Sequence, residues 1–174
     1  ANTPVPGFTH ATKLSYQRPL TLRGDKSNFF TDEFPMIRWL ERNGYDVTYT
    51  SDIDMARDAS VITPSKHKVL LSVGHDEYWS AEQFNKFETA RNNGVNIAFF
   101  SGNTLHWKTR WEDNFQTLVC YKEGTQGIYS CGSKCDPVTN VWTGLWRDGC
   151  LPAYGTHDGC RPEGPFLAQM GWTE

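Results

Sequence analysis

Two hydrophobic rhythms alternate along the first hundred residues of the chain. Between Phe30 and Gly44, the residues Phe34, Ile37 and Leu40 recur at helical spacing, which predicts a helix with one face turned to a core. Thr31 or Asp32 is placed to cap it, Pro35 falls early enough to be tolerated, and Gly44 supplies a left-handed stop. Asp46-Val47-Thr48-Tyr49-Thr50 then reads as a strand, and Asp52 to Asp58 as a short surface helix. Lys68 to Val73, with Val69, Leu70, Leu71 and Val73 apolar, reads as a strand of buried type. Ala81, Phe84, Phe87 and Ala90 mark a second amphipathic helix that ends at Gly94, with Ser80 and Gln83 in a capping-box pattern at its start. Val95 to Phe100 is a further strand, stopping at Ser101-Gly102-Asn103.

Helix, strand, short helix, strand, helix, strand with short connections is a βαβ rhythm. The expected fold is α/β: a flavodoxin-like parallel sheet with flanking helices and right-handed crossovers. Upstream, residues 1–12 read as a linker or cut end. Lys13-Leu14-Ser15-Tyr16-Gln17-Arg18-Pro19 reads as a short strand that places Tyr16 and Arg18 on one face. After residue 105 the pattern changes. His106 to Arg110 and Thr117 to Tyr121 look like strands of a separate antiparallel element, and residues 124–174 are loop-rich. Residues 13–174 are expected to form one domain, as a piece of a longer chain.

Composition narrows the functional classes. A net charge of -3 with no basic run argues against a nucleic-acid surface, and no apolar stretch reaches membrane-spanning length. The five cysteines all fall in the last third. Cys131 with Cys135, and Cys150 with Cys160, each close a short loop. Two disulfides stapling the C-terminal segment are expected, with Cys120 left free in an apolar run; such pairs imply an extracellular or secreted protein, and reduced cysteines a cytoplasmic one. Zinc held by Cys131, Cys135 and His157 is the rival use of these residues.

The candidate chemistry lies at Gly74-His75-Asp76-Glu77-Tyr78-Trp79-Ser80. In an open α/β sheet, ligands bind beyond the carboxyl ends of strands, and this stretch directly follows one. His75 and Asp76 could equally do no more than cap the turn. Asn103 follows the next strand, separated by a single helix, so His75, Glu77 and Asn103 are expected to converge on one edge. A histidine, a carboxylate and an amide can bind a metal or activate water. The chain carries no dinucleotide fingerprint, no P-loop, no nucleophile elbow and no cysteine at this strand end. Nucleotides, serine hydrolysis and an amidotransferase nucleophile therefore recede.

These landmarks resemble a known family. Gly74 to Ser80, Phe100-Ser101-Gly102-Asn103 and Trp107, with Ser15-Tyr16-Gln17-Arg18-Pro19 upstream, are similar to the C-terminal domain of the N,N-dimethylformamidase large (beta) subunit family. Val119 to Glu123, Trp142 to Asp148 and Arg161-Pro162-Glu163 resemble its later landmarks. The resemblance implies a sheet related to class I glutamine amidotransferases. It also implies hydrolysis of a small amide at a mononuclear iron held by two tyrosines and a glutamate. On this sequence Glu77 would be the carboxylate ligand, Tyr16 one phenolate, and His75 and Asn103 the groups that hold water or the substrate carbonyl. The second tyrosine would come from the remainder of a longer chain or from another chain. The competing expectations are a binding or structural domain that keeps the fold without catalysis, and a metal-free hydrolase relying on Glu77 and His75.

Overall fold

The computed structural model describes residues 10–18, 29–58, 60–122 and 134–146. In chain order the elements are strand β1 (Lys13–Ser15), a π-helical turn (Phe29–Glu33), helix α1 (Phe34–Arg42), helix α2 (Asp52–Arg57), strand β2 (Val69–Gly74), strand β3 (Tyr78–Ser80), helix α3 (Ala81–Asn92), strand β4 (Asn96–Ser101), strands β5 (Trp107–Glu112) and β6 (Thr117–Val119), a 3-10 turn (Thr139–Val141) and strand β7 (Gly144–Leu145). They group into two compact units, one of Ala1–Tyr16 with His106–Glu174 and one of Gln17–Leu105. No helix among the described residues is long and apolar enough to cross a membrane.

In the Gln17–Leu105 unit, β2 and β4 pair in parallel, with Val69 opposite Asn96 and Gly74 opposite Ser101. α3 is the crossover between them. Its Phe84, Phe87 and Ala90 are buried together with Trp79 and Val95. The Trp79 ring lies 4.4 Å from Phe87, and Phe99 of β4 closes the cluster at 6.2 Å from Phe87. Each fully buried side chain of this size contributes roughly 1.5–3 kcal/mol. Ser80 caps α3, as its position predicts: its hydroxyl accepts from the Gln83 backbone N–H at 3.2 Å. The Gln83 side chain does not close a capping box. It donates instead to Asp52 Oδ1 at 3.0 Å.

Several expectations are corrected here. The strands are of both kinds rather than a flavodoxin-like or amidotransferase-like parallel sheet: β2 and β4 form a two-stranded parallel sheet, while in the other unit β1, β6 and β5 run antiparallel and β7 pairs with Trp107 and Lys108 of β5. Asp46 to Thr50 forms no strand, because only Val47 is even partly covered and Tyr49 is turned outward to donate to Glu41 Oε1 at 2.8 Å. Strand β3, Tyr78–Ser80, is too short for any alternation to mark it in the sequence. Helix α1 begins later than expected, after the π-helical turn. Neither Thr31 nor Asp32 caps it, since Glu33 holds the N-cap position without a side-chain bond. None of its residues is buried, so Phe34, Ile37 and Leu40 do not form a core stripe. β1 ends at Ser15, which leaves Tyr16 and Arg18 in the following turn rather than on a shared strand face.

The other unit is built on antiparallel ladders. Lys13 lies opposite Val119, and Arg110 opposite Val119 across the next ladder. Val119, Cys120, Tyr121, Trp142, Leu145 and Trp146 are buried. The Lys108 ammonium lies 3.9 Å from the centre of the Trp142 ring. Arg110 bridges the buried Asp136 at 2.6 Å and Glu112 at 2.9 Å, and Lys13 pairs with Glu112 in turn. Asp136 also accepts from the Thr143 backbone and hydroxyl, so this carboxylate ties the Asp136–Thr143 turn to β5.

Cys120 is buried and outside any disulfide, its thiol donating to the Lys108 carbonyl at 3.9 Å. Of the expected pairs, Cys131–Cys135 has one member and Cys150–Cys160 both members outside the described residues, as is His157 of the zinc alternative. No disulfide joins two described residues. Cys135 is disulfide-bonded, and its partner lies outside the described residues.

Candidate functional site

The turn from Gly74 to Ser80 is held from both sides within the Gln17–Leu105 unit. Gly74 has φ +88°, a left-handed conformation that suits glycine. Parallel pairing aligns Gly74 with Ser101, and the two strand ends are then stitched together. The Gly102 N–H donates to the Gly74 carbonyl at 3.0 Å, the Asp76 N–H to Ser101 Oγ at 2.7 Å, and the Leu105 N–H to the Asp76 carbonyl at 3.2 Å. The convergence of the two strand ends, read from the βαβ rhythm, is present.

His75 and Glu77 are brought together. His75 Nδ1 lies 3.4 Å from Glu77 Oε2, with the imidazole exposed and the carboxylate more covered. A β-carbon placed on Gly102 would lie 3.4 Å from His75 Cδ2, so the imidazole rests against the loop that carries Asn103. Asn103 itself is exposed and left-handed (φ +49°), and Leu105 follows at φ +61°. Between them, Thr104 Oγ1 is buried without a hydrogen-bond partner among the described residues. Two left-handed non-glycine residues flanking an orphan hydroxyl make this loop the strained side of the site.

Asp76 plays a larger part than its sequence position suggested. Its carboxylate accepts from Ser72 Oγ at 2.6 Å, and its backbone carbonyl accepts from Trp79 Nε1 at 2.9 Å. Burial raises its pKa, opposed by the Ser72 hydrogen bond. Two further carboxyls share its field. Glu33 is raised by burial and then by the charges of Asp76 and Asp32. Asp52 is pushed up to about 7, first by desolvation of its carboxyl and then by Asp76, against the lowering effect of Gln83. Asp52 as a residue keeps much of its surface in solvent; the desolvated part is the carboxyl held by Gln83. Sequence reading missed this group because Asp52, Glu33 and Asp76 are scattered over 44 positions. The one available signal was the pair of acids opening a short helix at Asp52 and Asp54.

Tyr16 is placed differently. It belongs to the Ala1–Tyr16 and His106–Glu174 unit, where its ring lies 5.3 Å from that of Trp111 and is 54% exposed. Glu77 belongs to the other unit. Among the described residues, no group of three His, Cys, Asp or Glu side chains could hold a metal ion. Glu77 Oε2 faces the His75 imidazole, and the Tyr16 ring faces Trp111. The expectation of a metal-binding cluster is thus not met among the described residues.

The landmarks that build this turn also carry a family match. The family model for the C-terminal region of N,N-dimethylformamidase beta subunit-like proteins matches residues 2–159. The chain belongs to that family. No curated protein matches it.

Proposed function

We propose that the chain is a binding domain that keeps the fold of its family, and that the turn from Gly74 to Ser80 holds a small carboxamide. The observation that carries this reading is the His75–Glu77 pair, 3.4 Å apart at a strand end stitched to the neighbouring loop. An amide presents one acceptor and, when not fully substituted, a donor. An imidazole N–H can serve the carbonyl oxygen, and a carboxylate can serve the N–H. Asn103, with both a donor and an acceptor, stands on the adjoining loop. This arrangement discriminates amides from hydrocarbons of the same shape, because the polar pair stays well solvated until a matching ligand replaces the water.

The family description supports a second reading, hydrolysis of a small amide. In it Glu77 takes a proton from water as general base, the hydroxide attacks the amide carbon, and Glu77 returns that proton to the leaving nitrogen as the C–N bond breaks, while His75 steadies the carboxylate.

One experiment separates the two. Backbone-amide NMR spectra are recorded as an N-substituted formamide is added, and formate release is measured on the same sample. Shifts confined to residues 74–80 and 101–105, without formate, support the binding domain. Formate release that disappears in Glu77→Gln, with the spectrum otherwise intact, replaces it with the hydrolase. Neither shifts nor formate would rule out both.

A further inference from the structure

Helix α1 carries a self-complementary stripe that neither reading uses. Phe34, Arg38 and Arg42 lie one helical turn apart on the same side, and all three are exposed. The π-helical turn extends the stripe backwards. The Phe30 ring lies 6.0 Å from that of Phe34 and 5.1 Å from that of Phe29. Phe30 is 60% exposed, Phe34 40% and Phe29 46%. No residue of α1 is buried, although the helix spans Phe34–Arg42. The stripe therefore has an aromatic half, Phe30 and Phe34, and a guanidinium half, Arg38 and Arg42.

From this juxtaposition we infer that α1 is the contact surface of a homodimer in which two copies pair antiparallel about a two-fold axis. An axis passing midway between positions 34 and 38 exchanges Phe34 with Arg38 and Phe30 with Arg42. Each aromatic ring of one copy then faces a guanidinium of the other, and the contact is isologous, as a two-fold interface must be. Parallel pairing would set guanidinium against guanidinium and is disfavoured by charge. A second copy meets the stripe along its whole length, whereas a purely apolar partner would leave Arg38 and Arg42 desolvated without compensation. A single helix pair is a small interface, so the dimer is weak and forms in the micromolar range.

Sedimentation velocity of the whole chain, from about 5 to about 200 μM, tests this. The expected result is a concentration-dependent rise from the monomer to a species of twice its mass. Arg38→Glu with Arg42→Glu removes one half of the stripe, and Phe30→Lys with Phe34→Lys removes the other. Each double variant alone is expected to stay monomeric over the whole range with unchanged circular dichroism. Mixed in equal amounts, the two are expected to form a heterodimer. The carboxylates introduced at positions 38 and 42 of one copy then face the ammonium groups introduced at positions 34 and 30 of the other. A wild-type chain that stays monomeric up to the highest concentration overturns the inference, as does a dimer that persists in either double variant. So does a mixture that fails to associate when both variants are folded.

Discussion

A β-carbon built on Gly74 would lie 2.7 Å from Glu33 Cγ. The end of β2 and the π-helical turn before α1 are thus packed to the limit of what backbone and side chain allow. Gly74 is also left-handed, so a substitution there meets strain as well as contact. Gly74→Ala is expected to cost about 2–3 kcal/mol, combining roughly 1–2 kcal/mol of backbone strain with the displaced Glu33 side chain. Urea denaturation checks the loss. In a double-mutant cycle, Glu33→Ala should restore the contact part and leave the strain.

Asp52 should make stability depend on pH. Its folded pKa, about 7, is above the ordinary aspartate value, so between those two values the folded state holds a proton that the unfolded state has released. Stability therefore falls as pH rises through this window, and the loss is complete above about pH 7. Asp52→Asn keeps an acceptor for Gln83 and removes the charge. The variant should show a flatter profile of melting temperature from pH 4 to pH 8, and its advantage over the wild type should be greatest at pH 8. A wild-type profile that rises over this interval and is unchanged in Asp52→Asn would show that this carboxyl does not titrate as described.

Arg110 answers a carboxylate that is nearly sealed from water: the Asp136 side chain is 1% exposed. Removing the guanidinium leaves Asp136, among the described residues, with its Thr143 and Val138 donors. Arg110→Met is expected to destabilise by about 3–5 kcal/mol, the usual result of orphaning one half of a buried pair. Arg110→Met with Asp136→Leu should recover much of that loss, measured by the same denaturation.

Ser101 links the two strand ends through one hydroxyl, 2.7 Å from the Asp76 N–H. Ser101→Ala should cost about 1 kcal/mol in stability. Because the bond positions the turn that carries His75 and Glu77, the same variant should also weaken formamide-induced shifts at residues 74–80 by several-fold. A stability loss with undiminished shifts would mean that the bond is structural only.

Much of the fold was legible in the chain where local chemistry sufficed. The α3 stripe, its Ser80 cap, the Gly44 and Gly94 stops, and the strands at 69–74 and 96–101 follow from periodicity and turn residues, which act over a few positions. Asp46 to Thr50 and the face of α1 could not be settled this way. Whether an alternating segment becomes a strand depends on a ladder partner, and whether an apolar stripe is buried depends on what packs against it. Both are decided far away in sequence.

The site divides along the same line. The sequence by itself determined that His75 and Glu77 stand at a strand end, and that the loop after the next strand carries Asn103. The βαβ rhythm requires those two ends to meet. Family membership, too, is carried by the sequence over residues 2–159. Only the tertiary structure decided that Asp76 is anchored by Ser72, Ser101 and Trp79, that Asp52 and Glu33 share its field, and that Tyr16 sits on Trp111 in the unit that does not contain Glu77. The reason is physical. Turn and strand preferences are short-ranged and written in neighbouring residues, whereas the field at a carboxyl is the sum over whatever charges and walls the folded chain brings within a few ångströms.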